Sequence, residues 1–308
     1  MYLMKKGTRR LLFYMSFALF IVAGYFLVLY AFGYKYDFAD AKFIKTGSFE
    51  IKTESGVEMY VDDQLSGQTS FLNSSLVKNR LIPGDYFVQL QKPGFQQWQK
   101  YVTITEGLLT EVDNVILLPE KFDEAVVATS SFSTISKVKF NETENTVTVY
   151  GKTDKNIETI SLLDGVRPTP KVSAQNKPTL SPSMSPIPDL TGVSPDGNKK
   201  LTIDNNEIWV SWLNDSNHQP FMSAGDKISV TKFSQPIGDA QWYKDSEHLI
   251  LGVGFPGQPQ TIKFVEIDNR GGINVYTITS ATGPFFYSRS TDRLYVFRGN
   301  NLVAIKIK

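Results

Sequence analysis

From Leu11 to Phe32 the chain runs for 22 residues without a charge (LLFYMSFALFIVAGYFLVLYAF). As a helix this run is about 33 Å long, enough for a hydrocarbon core of about 30 Å. A helix satisfies its own backbone hydrogen bonds, so lipid accepts it. The run has no polar face, as a core helix of a soluble domain would. It is longer than the apolar stretch of a cleaved signal peptide, about 7–15 residues, and its end at Leu29–Tyr34 offers no small-x-small site. It therefore predicts an uncleaved single-pass anchor that contacts the bilayer through Leu11 to Phe32. Lys5, Lys6, Arg9 and Arg10 precede it. Such a basic flank sets topology, so the N-terminus is expected in the cytoplasm and the rest outside it. The reading divides the start of the chain into a basic tail at 1–10, the span at 11–33 and a polar-aromatic spacer at 34–45.

At 308 residues the chain has room for about two folded units, at about 150 residues each. Setting aside the four basic residues before the span leaves 28 basic against 31 acidic residues. A weakly acidic region is a poor match for a phosphate backbone, so no nucleic-acid partner is expected. Cysteine is absent, which removes disulfides, thiolate metal sites and a cysteine nucleophile. A large exported region without disulfides points to a bacterial envelope rather than a eukaryotic secretory pathway.

Residues 46–118 alternate apolar and polar side chains in short runs. These are Ser48–Lys52, Val57–Val61, Tyr86–Gln91, Trp98–Thr105 and Val112–Leu118. Turn formers separate them, at Asp62-Asp63, Pro83-Gly84-Asp85 and Pro93-Gly94. Five short strands in about 70 residues predict a small β-sandwich. The stretches Tyr60-Val61-Asp62, Gly67-Gln68-Thr69, Leu81–Tyr86 and Lys92-Pro93-Gly94-Phe95 followed by Trp98 resemble the PEGA domain, a small β-sandwich module of bacterial and archaeal surface proteins. Thr53–Val57 stands where that family's eponymous Pro-Glu-Gly-Ala lies. Asp63 replaces its usual glycine and Ser70 its usual proline. The resemblance implies an interaction module without catalysis.

Residues 119–308 repeat a strand–polar turn–strand unit. Copies begin near Phe132–Phe140, Val193–Ile203, Ala240–Leu251 and Phe286–Phe297. A period of about 40–45 residues is a propeller signature. Ser194-Pro195-Asp196-Gly197 with Ile208-Trp209-Val210 resembles blades of TolB-like and WD-repeat-like propellers, as does Trp242 with Lys244-Asp245-Ser246. At most four blades fit, so an incomplete propeller is an open alternative. Residues 168–188 hold six of the chain's 15 prolines. Proline cannot donate to a sheet ladder, so this segment reads as an insertion rather than a buried strand. The expected fold is all-β after the N-terminal helix: a sandwich, then a propeller-like domain.

No motif with chemistry stands out. His218 and His248 lack the spacing of a metal site, there is no Gly-x-Ser-x-Gly elbow, and no glycine pair opens a phosphate-binding helix. No catalytic residue, metal or cofactor is expected. Trp98, Trp212 and Trp242 are candidate ligand-contact aromatics, with core packing as the alternative for each. The function expected is a membrane-anchored extracytoplasmic protein that binds or scaffolds, its partner a cell-envelope glycan or another surface protein. The alternative is an envelope-acting hydrolase, for example a glycosidase, whose carboxylates meet only in the fold.

Overall fold

The computed structural model describes residues 6–38, 40–152, 157–162 and 192–308. The Pro-rich insertion expected at 168–188 and the topology residue Lys5 lie outside them.

The uncharged run forms a helix at Lys6–Ala31, none of whose residues is buried. It is long and apolar enough to cross a bilayer. Lys6, Arg9 and Arg10 lie in its exposed opening turns. It stops at Gly33, whose φ of +83° is the left-handed geometry that ends helices. The segment expected as a spacer is instead a hairpin of Tyr34–Asp37 with Lys42–Lys45. Tyr36 stacks edge-on against Phe43 across it, with ring centroids 5.1 Å apart. Aromatic cross-strand pairs of this kind hold a short ribbon.

The chain then builds a two-layer sandwich. One sheet has the order Ser75–Leu81, Gly47–Lys52, Leu109–Val112, with the last pair parallel. The other has the order Gln64–Gln68, Glu58–Val61, Gly84–Gln91, Trp98–Ile104. Phe49, Ile51, Val57, Met59, Val88, Val102 and Ile104 are buried. Two expectations change here. Gln64–Gln68 and Ser75–Leu81 are strands the alternation rule passed over, because their edge positions carry polar residues on both faces. The strand expected at Val112–Leu118 ends at Val112; Val115, Leu117 and Leu118 are buried outside any strand. The Val61–Gln64 turn places both Asp62 (φ +48°) and Asp63 (φ +63°) in the left-handed region. A two-residue hairpin turn needs this, and Asp tolerates it without glycine.

By internal packing the chain forms two compact units, residues 1–88 with 101–115, and residues 89–100 with 116–308. The boundary expected at 118/119 is therefore finer in the structure. It passes through the strands Gly84–Gln91 and Trp98–Ile104.

Among the described residues, the second unit carries four antiparallel sheets in a propeller-like succession. The first has Lys137–Asn141, Thr146–Tyr150 and Ile157–Ser161. The second has Lys199–Asp204, Glu207–Trp212 and Lys227–Lys232. The third has Ile237–Trp242, His248–Val253, Gln260–Glu266 and Val275–Ala281. The fourth takes Phe285–Ser288, Arg293–Arg298 and Asn301–Lys306 from the end of the chain and its outer strand, Glu124–Thr129, from the domain's beginning. This pairing ties the two ends of the domain together and covers an edge that would otherwise be open.

Three apolar clusters join these sheets. Ile208, Val210 and Trp212 pack with Leu249, Leu251 and Val253. Ile250, Ile262 and Phe264 pack with Leu294, Val296 and Ile305. Phe286, Tyr295, Phe297 and Ala304 pack with Val147, Val149 and Ile160. The third and fourth sheets are thus covered on both faces. That is why His248–Val253 reads HLILGV and is buried throughout, since a strand between two layers has no polar side.

Candidate functional site

Four polar turns recur, each leading into a strand and closed by its own side chain. Asn141 Oδ1 accepts from the amides of Thr143 (3.1 Å) and Glu144 (3.3 Å). Asp196 Oδ1 accepts from Asn198 N at 3.1 Å. Asp245 Oδ1 accepts from the amides of Glu247 (2.9 Å) and His248 (3.0 Å). Ser288 Oγ accepts from Thr291 N at 3.3 Å. Short acceptor side chains that capture nearby amides explain why Asn, Asp and Ser occupy these positions.

The turns also bond to one another. Asp196 N donates to Ser246 Oγ at 3.0 Å, and Lys199 Nζ meets Glu247 Oε1 at 2.7 Å. The hydroxyls of Tyr243 (3.2 Å) and Tyr287 (2.8 Å) and the ammonium of Lys244 (2.7 Å) converge on Asp292. Glu142 Oε1 accepts from the amides of Arg289 (3.0 Å) and Ser290 (3.2 Å). The result is a polar rim running from the second sheet through the third and fourth to the first. Burial and Asp292 together push the Tyr243 and Tyr287 phenols far above their ordinary range, so both stay neutral donors.

The unit also holds two buried lysines. Lys199 is held by Glu247 and by Ser246 O at 3.2 Å. Lys100 pairs with Glu266 and also donates to Asp268 O at 2.6 Å. The other Glu266 oxygen, Oε2, accepts from Trp98 Nε1 and Asn274 Nδ2, both at 3.0 Å. Arg270 chelates Asp268 and donates to Gln219 Oε1 at 3.1 Å. A cavity of about 10 Å³ lies among Lys199, Trp212, Ser216, His218, Glu247 and Asp268. That is about the least room that can hold one water. Its two carboxylates differ. Burial raises Glu247 above the usual range despite Lys199. Burial also opposes ionisation of Asp268, but the bonds from Arg270 and the charge of Lys100 outweigh it and hold the group low. Divergent carboxyls are what acid–base chemistry uses, yet here each already answers a cation and no room remains for a sugar ring.

Asp245 and His248 form a second pair, with Nδ1 and Oδ2 2.7 Å apart. The imidazole lies flat on Phe264, centroids 4.8 Å apart. Burial raises Asp245, and the charge and hydrogen bond of His248 with two backbone amides bring it below the usual range. An acid–imidazole pair is two of the three members of a hydrolytic triad. The nearby Ser246 hydroxyl is already engaged by Asp196 N. Among the described residues, no group of three or more His, Asp or Glu side chains is placed to hold a metal ion.

The three tryptophans expected as candidate ligand contacts are buried. Trp98 is 1% exposed and donates to Glu266. Trp212 packs in the cluster between the second and third sheets. Trp242 donates from Nε1 to Gly192 O at 2.7 Å. Trp212 shares the inward parity of Ile208 and Val210, so core packing claims it. It is Trp209, on the opposite face and half-buried, that offers a ring, with Lys227 4.4 Å above its centroid. Sequence reasoning missed the buried charges. One signal was present: Lys100 sits on the inward parity of Trp98–Ile104, whose burial alternates strictly.

No protein-family model matches the chain, and no curated protein matches it. Solved structures that resemble it include the β-propeller domain of Cps50 (Swd1) from Myceliophthora thermophila, at 13% identity and a TM-score of 0.24; the match spans 56% of this chain and 51% of that one. A protein described as a TolB from Agrobacterium tumefaciens matches at 10% identity and 0.24, over 85% and 99% of the two chains. One described as a 6-phosphogluconolactonase from Bacteroides uniformis matches at 10% and 0.24, over 83% and 79%. Scores this low carry no argument, so the propeller-like description stands on the sheet order and packing above.

Proposed function

We propose that this chain is a single-pass membrane protein of the bacterial cell envelope, N-terminus cytoplasmic, whose extracytoplasmic part binds or scaffolds a glycan or surface protein. The observation that carries the reading is the wholly unburied apolar helix at Lys6–Ala31 followed directly by β-structured units. An apolar helical run in which no residue is buried is stable where lipid covers it. The sandwich is read as a PEGA-like interaction module. The propeller-like unit is read as a platform, because its buried charges are neutralised internally and its loops, the usual place for recognition, are anchored by the turn network. Near-neutral charge argues for a partner that is not a strongly charged polymer.

The test has two arms. A reporter active only outside the cytoplasm, fused to the C-terminus, is expected to be active; activity of a cytoplasm-only reporter there would refute the topology. The purified extracytoplasmic region is expected to capture a component from envelope fractions. Loss of capture after wall digestion identifies glycan, and persistence identifies protein. Capture from cytosol alone refutes the reading.

A further inference from the structure

The first unit holds a cavity of about 830 Å³. One wall is the end of the helix, with Phe26, Leu27 and Tyr30; the other is the hairpin, with Tyr36 and Phe43. Phe26 reaches Phe43 across it, centroids 5.9 Å apart. The lining is largely apolar and contains no acidic side chain, but it includes two cations, Lys35 and Arg80. The Arg80 guanidinium lies 3.5 Å above the Tyr30 ring, and its Nη2 donates to Tyr30 O at 3.0 Å. That uses one of five donors. Among the described residues neither Arg80 nor Lys35 has a carboxylate partner, and both are exposed.

We propose that this groove binds a phospholipid with an anionic headgroup, the acyl chain lying against Phe26, Leu27 and Phe43 and the phosphate held by Arg80 and Lys35. The proposal rests on the anchor reading above and names a ligand for it. Three features select lipid over a soluble ligand or a second protein. The helical wall belongs to the run that no protein residue buries, so in a bilayer acyl chains are its neighbours. The groove extends from Ala23 inside the apolar run to Lys35 just beyond it, the transition a lipid molecule makes between tail and headgroup. A guanidinium with four donors left suits a phosphate's oxygens, and tyrosines at this level are typical of the membrane interface. The hairpin and Arg80 thus turn the end of a plain span into a shaped site.

The experiment reconstitutes the full chain in phosphatidylcholine vesicles. Electron spin resonance then compares its preference for spin-labelled phosphatidylglycerol over spin-labelled phosphatidylcholine. A Lys or Arg at an anionic surface contributes enough that removing it lowers preference about fivefold. Lys35→Gln and Arg80→Gln are each expected to do so, while Arg80→Lys keeps most of it. Lys35 lies on an exposed strand, so its variant reads binding free of any folding defect; circular dichroism checks the Arg80 variants. Lys6, Arg9 and Arg10 are present in every variant, and their general attraction cancels. Equal preference in wild type and both glutamine variants overturns the site. So does displacement of the lipid probe by excess inorganic phosphate, which would make free phosphate the ligand. Alkaline carbonate extraction of the same vesicles separates the two readings: a protein released by carbonate is not an anchor and the site falls with it, whereas a retained protein without selectivity loses only the site.

Discussion

Glu266→Ala removes the centre of the buried network in the second unit. Three groups lose their partner at once: the Lys100 ammonium, whose side chain is 1% exposed, the Trp98 indole N–H and the Asn274 amide. Removing one member of a buried ion pair costs about 3–5 kcal/mol, because the other charge stays buried without compensation. Each orphaned neutral donor adds about 1–3 kcal/mol where no water reaches it. Lys100 keeps the Asp268 carbonyl at 2.6 Å and the Asp268 carboxylate at 4.0 Å, which holds the expected total near the lower end of that sum, about 5 kcal/mol. That is a large part of a typical stability of about 5–15 kcal/mol. Lys100→Met is expected to cost less, about 3 kcal/mol, since Glu266 would retain both N–H donors. The double variant Lys100→Met with Glu266→Ala should cost less than the sum of the two single variants, by about 2 kcal/mol or more, because no unpaired charge remains at this pair. All four tryptophans lie in residues 89–100 and 116–308, so their fluorescence in urea reports unfolding of this unit. A cost below about 1 kcal/mol for Glu266→Ala, or strictly additive costs, would refute the account of the network.

Trp242→Phe keeps most of the buried ring and loses the bond to Gly192 O; urea titration should show a loss of about 1 kcal/mol. Asp245 and Asp268 have folded-state pKa values below their usual ones, so their stabilisation is complete above the unfolded value of about 3.9 and is lost as pH falls through the lower folded value. An acid titration followed by tryptophan fluorescence should therefore show stability declining below about pH 4, and Asp245→Asn should flatten that decline. Gly252→Ala places a methyl 2.6 Å from Phe285 Cε1, between the third and fourth sheets, and thermal unfolding should report a loss of about 1–3 kcal/mol from overpacking.

The strands legible in the sequence were those with one wet face or none. Trp98–Ile104 alternates buried and exposed residues strictly, and the turns at Asp196 and Asp245 declared themselves through residues that capture amides. The edge strands Gln64–Gln68 and Ser75–Leu81 did not, because ladder bonds rather than apolar side chains hold them in place. The hairpin at Tyr34–Lys45 was hidden for a related reason: its aromatic contacts include a partner on the helix, Phe26. The tryptophans were ambiguous in sequence, since an indole serves a core or a ligand equally well, and only burial with a satisfied N–H separates the two.

What the sequence alone determined is local: an apolar run long enough to span lipid, the period of the strands, and turns whose side chains bond within a few residues. Tertiary structure decided everything that depends on distant partners. It paired Glu124–Thr129 with Asn301–Lys306 and buried Lys100 against Glu266, 166 residues away. It also linked the turns into one rim and brought Arg80 over Tyr30. The physical reason is range. Backbone stereochemistry and hydrophobic periodicity act over one strand or one turn of helix. A buried charge is tolerable only where the fold delivers its counterion, and no pattern of neighbours along the chain records that delivery.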